Sequence, residues 1–284
     1  MVAISGQLLV LLDRFFGSFL PPEPLSALYY ASLPVLFPIG ILIYPLGYSI
    51  FPKLSRGLTE RKDEGAAELL CKALGWINFV LIPMTVIFIF APQEVIRLVF
   101  ERGAFGEVST DLSARCLRIF AFSLLASGYV FVLSRVYLAA GLGKRLAVFC
   151  LAAFLFKALA AYPGIKIWGL EGLAGAGSAA LVGLALLQLR GRPSAIHFSA
   201  GRRLGPECFR LTIAALLAFG LAWLGGLLLA DTGSLVHGAI LFFLFGFLYL
   251  TLCFIFHIPE LSDSINLIRR LGGKLPYGAI ATRL

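Results

Sequence analysis

Gln7–Arg56 reads QLLVLLDRFFGSFLPPEPLSALYYASLPVLFPIGILIYPLGYSIFPKLSR, two long apolar runs joined by a turn rich in proline (Pro21, Pro22, Pro24). The first run carries the adjacent charges Asp13 and Arg14, and the second stops at Pro52-Lys53-Leu54-Ser55-Arg56. Runs of this length lack the strict alternation of a barrel strand. Inside a bilayer, where no water meets the backbone, they must bond internally as helices. A charged pair within such a run is costly, so it marks a place where the protein works.

The rest of the chain repeats the pattern. With 60% hydrophobic residues, 14% charged residues and a mean hydropathy of +0.93, it is an integral membrane protein. Apolar segments long enough to cross about 30 Å of hydrocarbon predict an all-α, polytopic helical protein of about eight transmembrane helices. The expected spans are Val2–Leu20, Leu28–Phe51, Ala73–Phe90, Arg115–Ala140, Ala147–Tyr162, Leu170–Leu189, Phe209–Leu229 and Val236–Phe256. Cys71, Cys116, Cys150, Cys208 and Cys253 are scattered, with no CxxC or Cys/His cluster, and read as small apolar residues rather than a disulfide framework or metal site. No cofactor is expected. The N-terminus lacks a basic start and a small-residue cleavage site, so it is read as a mature span rather than a signal peptide.

Basic residues set the expected orientation. They cluster after the second span (Lys53, Arg56, Arg61, Lys62, Lys72), after the fourth (Lys144, Arg145), after the sixth (Arg190, Arg192, Arg202, Arg203) and in the tail (Arg269, Arg270, Lys274, Arg283). Of the alternate loops, Pro21–Ala27 and Ala230–Leu235 hold no Lys or Arg and Pro163–Gly169 holds only Lys166. The positive-inside rule then places both termini in the cytoplasm. The net charge of +9 is a topology and anionic-lipid signal, and with no RNA- or DNA-binding motif, nucleic acid is not an expected partner.

Several polar residues sit inside spans. In the first, Gly6, Asp13 and Gly17 share a helical face with Gln7, Arg14 and Ser18 beside it, a stripe expected to meet protein or a water-filled cavity. The alternative for Arg14 is to snorkel to the outer surface. The second span, with Pro34, Pro38, Pro45, Gly40 and Gly47, is expected to bend. In the fourth, Ser123, Ser127, Phe131 and Arg135 lie in one row, and Arg135 is deep for snorkelling, which favours a cavity-facing role. In the fifth, Lys157 shares a small-residue face with Cys150, Ala153, Ala160 and Ala161, and either packs inward or reaches the outer surface near Pro163. The sixth carries the small-xxx-small pairs Gly172/Ala176 and Ala179/Gly183, which predict close helix approach. Thr59–Leu74 reads as an amphipathic helix on the cytoplasmic surface, Glu94–Phe105 as an amphipathic segment ended by Gly103, and Ser109-Thr110-Asp111 as a cap for the helix that follows.

The run Leu98-Val-Phe-Glu-Arg102-Gly103-Ala104-Phe105 resembles the LFxRGAF element of the MurJ (MviN) family of lipid II flippases of bacterial peptidoglycan synthesis. Ser18-Phe-Leu-Pro21 with Leu25-Ser-Ala-Leu-Tyr-Tyr-Ala31 resembles its SxLPxGxxSALxYA element, and Ile39-Gly40 through Phe51-Pro-Lys-Leu-Ser-Arg56 its LGxx…LLPRLSR element. The resemblance implies a MATE-like, two-lobe transporter of fourteen spans, of which this chain is similar to the seventh onward: the second lobe and a terminal helix pair. A truncated or split gene product is one expectation, and a first-lobe partner chain is the other. Two departures stand out. Where the family continues YADRLYQLP, this chain has Ser32 and Leu33, so the family's cavity arginine is absent at Leu33. Where the family's eleventh span often bears Asn or Asp, implicated with a seventh-span acid in cation binding in some members, this chain has Lys157, whose ammonium is able to replace a bound cation by pairing with Asp13.

The expected organisation is a six-helix lobe (1–189), a basic cytoplasmic linker (190–208), a terminal helix pair (209–258) and a cytoplasmic tail (259–284). Arg14, Arg135 and Lys157 against the single acid Asp13 leave a cationic interior suited to a pyrophosphate head group. The expected function is therefore a transport module of the bacterial inner membrane, with lipid II or a related polyprenyl-pyrophosphate lipid and membrane lipids as partners. The other classes are a non-transporting remnant or scaffold, and an enzyme acting on polyprenyl lipids. For an enzyme the sequence supplies no catalytically spaced carboxylate pair, no HExxH and no nucleophile elbow, and His197, His237 and His257 are dispersed.

Overall fold

The computed structural model describes residues 2–20, 22–59, 63–102, 105–191, 200–227, 234–258 and 260–261. Helices in order are α1 (Val2–Gly17), α2 (Pro22–Pro38), a π-helical turn (Ile39–Ile43), α3 (Tyr44–Thr59), α4 (Asp63–Phe90), α5 (Pro92–Phe100), α6 (Glu107–Ala139), α7 (Gly143–Arg190), α8 (Ala200–Leu227) and α9 (Ser234–Ile255). Among the described residues, six segments are long and apolar enough to cross a membrane: Leu25–Gly57, Ala67–Phe90, Glu107–Ala139, Gly143–Arg190, Gly205–Gly226 and Val236–Ile255. α7 is folded double, and α1, at 16 residues, spans about 24 Å. The architecture is the expected polytopic helical one.

The second expected span is continuous through α2 and α3 but changes winding at Ile39–Ile43, where the Tyr44 N–H bonds back to the Ile39 carbonyl. Proline explains the change. Pro45 has no N–H to offer Ile41, and its ring crowds that carbonyl, so one wider turn relieves the clash without breaking the helix.

α6 ends at a glycine in the left-handed region, Gly141 (φ 72°). The Leu142 N–H bonds to the Tyr137 carbonyl at 2.9 Å and the Gly141 N–H to that of Leu138 at 3.1 Å, the paired bonds of a Schellman motif. α7 then turns on itself at Gly169 (φ 56°, ψ −128°), a conformation open to glycine alone. Its two arms, 143–168 and 170–190, run antiparallel: Phe149 lies against Gly191, Lys157 beside Gly177, and Gly164 against Gly172, backbone on backbone.

Buried polar rungs tie these helices together. Tyr137 donates to the Gln188 carbonyl (2.9 Å), Gln188 to Ser134 (3.1 Å) and Ser123 to Ser178 (3.3 Å), joining α6 to the second arm of α7. Asn78 of α4 accepts from Tyr129 of α6 at 2.6 Å and reaches the Cys208 sulfur of α8 at 3.0 Å. Tyr249 of α9 donates to the Phe79 carbonyl at 2.8 Å, so the α8–α9 pair is pinned to α4. In hydrocarbon such bonds hold helices that have no hydrophobic reason to associate.

Four expectations change. The amphipathic stretch from Thr59 is not a separate surface helix: α4 runs unbroken from Asp63 into the span, because no proline or glycine interrupts it before Gly65 or between there and Gly75. Ser109-Thr110-Asp111 do not cap α6, which starts earlier, after Gly106. They lie inside its first turns, where Asp111 is drawn to Arg115. The expected linker is partly helical, since α8 begins at Ala200, and residues 192–199 and 262–284 lie outside the described residues. Finally, the close approach belongs to Gly172 with Gly164 and not to Gly183, around which nothing lies within 4 Å, and Ala179 is exposed.

Candidate functional site

Asp13 and Lys157 meet at the seam where α1 packs on α7. The Lys157 ammonium lies 2.8 Å from an Asp13 carboxylate oxygen, with the lysine side chain 4% exposed and the aspartate 33%. Helical spacing brings this about from both sides. Ala153 and Ala161, one turn either way from Lys157, are buried and small enough to let α1 approach. Gly177 on the opposing arm of α7 leaves room for the lysine, whose Nζ would stand 3.5 Å from any Cβ placed there.

Arg14, one residue further along α1, turns the other way and is exposed. Its neighbours Leu11, Phe15 and Phe19 are exposed as well, and Phe15 and Phe19 meet edge to face at 5.7 Å. Arg135 lies in a crevice between α6 and α3. Its guanidinium carbon stands 4.6 Å over the Tyr48 ring and 4.8 Å over that of Phe131, and Tyr44 leans on Phe131 at 4.5 Å between centroids. The Arg135 Nε is buried with no hydrogen-bond partner among the described residues. Gly47 leaves the space that the Phe131 ring occupies. The row of Ser123, Ser127, Phe131 and Arg135 is thus split: Ser123 bonds to α7, the Ser127 hydroxyl returns to its own helix at the Leu124 carbonyl (2.6 Å), and only Phe131 and Arg135 stay together. Asp13 and Lys157 are therefore brought together, while Arg14 and Arg135 occupy other surfaces.

The LFxRGAF stretch closes α5 onto α2. Tyr30 meets Phe100 at 5.3 Å and Phe105 at 5.0 Å, both edge to face, while Arg102 is exposed and Gly103 and Ala104 lie outside the described residues. Leu33, at the position of the absent family arginine, is half-buried. The aromatic platform of Tyr44, Tyr48 and Phe131 and the Asn78–Tyr129–Cys208 cluster had no expectation attached to them. The i, i+4 spacing of Tyr44 and Tyr48 signals the first; the second unites three distant helices and leaves no local trace.

A polar cleft of about 460 Å³ opens between α5, α6 and the second arm of α7, lined in part by Gln93, Asp111, Arg115, Arg118 and Glu171. Its charges answer one another. Arg115 pairs with Asp111 at 2.8 Å and stands 3.7 Å from Glu171, and the Arg118 Nε donates to the Ile89 carbonyl at 3.0 Å.

The family model described as lipid II flippase MurJ matches residues 1–244. The chain belongs to the MurJ family. It is 30% identical over 186 residues to a probable lipid II flippase MurJ of Bdellovibrio bacteriovorus, covering 64% of this chain and 35% of that protein. A probable lipid II flippase MurJ of Helicobacter pylori (strain J99) is 29% identical over 186 residues, covering 65% of this chain and 40% of the relative. The chain thus spans between a third and two fifths of these relatives. The fold is that of a solved lipid II flippase MurJ in its inward closed conformation, with a TM-score of 0.75 at 23% identity, over 92% of this chain and 52% of that one. Within the MurJ family frame, the membrane-length helices make this a multi-pass membrane protein.

Proposed function

We propose that this chain forms the second lobe and terminal helix pair of a lipid II-type flippase, a transport module rather than an enzyme, seated in the bacterial inner membrane with both ends cytoplasmic. Its cargo is a polyprenyl-pyrophosphate-linked precursor, and it works against a further six-span lobe. One observation carries the reading. Asp13 is taken up by Lys157, whereas Arg14 and Arg135 are span cations with no carboxylate partner among the described residues. Arginines facing lipid are expensive, whereas arginines facing a wet interlobe cavity bind phosphate oxygens. The exposure of Arg14 supports a surface that meets protein or water, and alternating access between two lobes needs such a surface.

The test is growth rescue in cells depleted of their own flippase. Residues 1–284 together with a six-span MurJ first lobe are expected to restore growth, and residues 1–284 alone are not. Rescue by the single chain, or undiminished paired rescue by a chain carrying both Arg14→Ala and Arg135→Ala, overturns the proposal. The substitution at Leu33 supports a second outcome: paired rescue that is weak and improves in Leu33→Arg.

A further inference from the structure

We propose that the Lys157 ammonium is the resident cation of the α1–α7 seam: it holds α1 on α7 and keeps free monovalent cations away from Asp13. The family resemblance implies, for some members, a cation between a seventh-span acid and eleventh-span oxygen ligands, and the described residues here do not fit one. A bound alkali cation needs several oxygen donors at close range. On this seam the described residues flanking Lys157 along α7 are Ala153, Ala160 and Ala161, and Gly17 lies one turn beyond Asp13, none with a side-chain oxygen. The lysine nitrogen already stands 2.8 Å from the carboxylate, and its side chain is 4% exposed. An arriving cation would meet a like charge in a low-dielectric place, with one carboxylate oxygen in contact with its rival.

The lysine stem fits its place as a packing element also. Gly177 gives the Nζ room on one side, and the small face of Ala153 and Ala161 lets α1 close over it. α1 packs principally on α7, and among the described residues this ion pair fastens the two. A buried pair of this kind contributes little net stability against an apolar replacement, yet breaking one side of it is severe. It therefore specifies where α1 sits without depending on the ionic conditions outside. The inference concerns the seam itself and holds whether or not the chain moves a lipid.

The experiment is thermal unfolding of the purified chain in detergent, in sodium, potassium or choline chloride at equal ionic strength. The unaltered chain is expected to unfold at one temperature in all three salts. A sodium- or potassium-specific rise in Tm that disappears in Asp13→Asn overturns the proposal. The fastening is read by a double-mutant cycle. Lys157→Met is expected to lower Tm by about 10 °C by stranding a carboxylate, and Asp13→Asn with Lys157→Met together to lower it by less. Additive losses overturn the pairing. Should Lys157→Met fail to fold, the double variant and the salt comparison on the unaltered chain still decide.

Discussion

Asn78 is fully buried in α4, between a phenolic hydroxyl of α6 and a sulfur of α8. Such a side chain is worth little as an isolated bond, because a membrane-embedded unfolded state finds partners too, but it fixes which faces of three helices meet. Tyr129→Phe removes the 2.6 Å donor and is expected to destabilise by about 0.6 kcal/mol. Asn78→Leu removes both bonds and the fit, and is expected to cost about 1–3 kcal/mol. Unfolding of the detergent-solubilised variants by heat or denaturant measures both, and equal effects would mean that the amide acts through Tyr129 alone. Arg135 is a different case. Lysine keeps the charge but not the planar guanidinium that lies over Tyr48 and Phe131, so Arg135→Lys is expected to reduce paired growth rescue nearly as far as Arg135→Ala.

α7 shows what a single element requires of its glycines. Gly164 and Gly172 bring the two arms together backbone to backbone, Gly169 turns the chain between them, and Gly183 touches nothing within 4 Å. Gly172→Ala pushes a methyl group into the Gly164 backbone and is expected to cost about 1–3 kcal/mol. Gly169→Ala is expected to cost a similar amount, about 1–3 kcal/mol, for a different reason: its space is open, but φ 56° with ψ −128° strains any residue with a Cβ. Gly183→Ala is expected to be neutral or stabilising by up to about 1 kcal/mol, since helical alanine is favoured over glycine where nothing is in the way. Ranking the three Tm values checks the hairpin. A large loss at Gly183 would contradict it.

At the scale of the whole molecule, the alternation of basic and base-poor loops predicts sidedness. Val108, exposed near the start of α6, is expected on the outer face, and Lys144, exposed at the start of α7, on the cytoplasmic one. In a background without the five native cysteines, Val108→Cys is expected to react with a membrane-impermeant maleimide in intact cells. Lys144→Cys is expected to react only after the membrane is opened. The reverse pattern would invert the topology. The α8–α9 pair is joined to α4 by Tyr249 and by Phe219, whose ring lies 5.5 Å from that of Phe90 at the end of α4. Hydropathy gives no sign of that docking surface, because lipid-facing and helix-facing residues are equally apolar.

Determined by the sequence alone were the helical class and the approximate spans, because each depends on local composition: an apolar run about as long as the bilayer is thick, bounded by turns. The family was legible too, through the Leu98–Phe105 run, whose Phe100 and Phe105 rings pack on Tyr30. The Asp13–Lys157 pairing was an expectation from the family resemblance only, and tertiary structure decides it. Asp13 and Lys157 are far apart in the chain and become neighbours only because α7 doubles back at Gly169 and presents a small-residue face to α1. The same folding sends Arg135 to an aromatic crevice on α3, a partner that no spacing within α6 could specify.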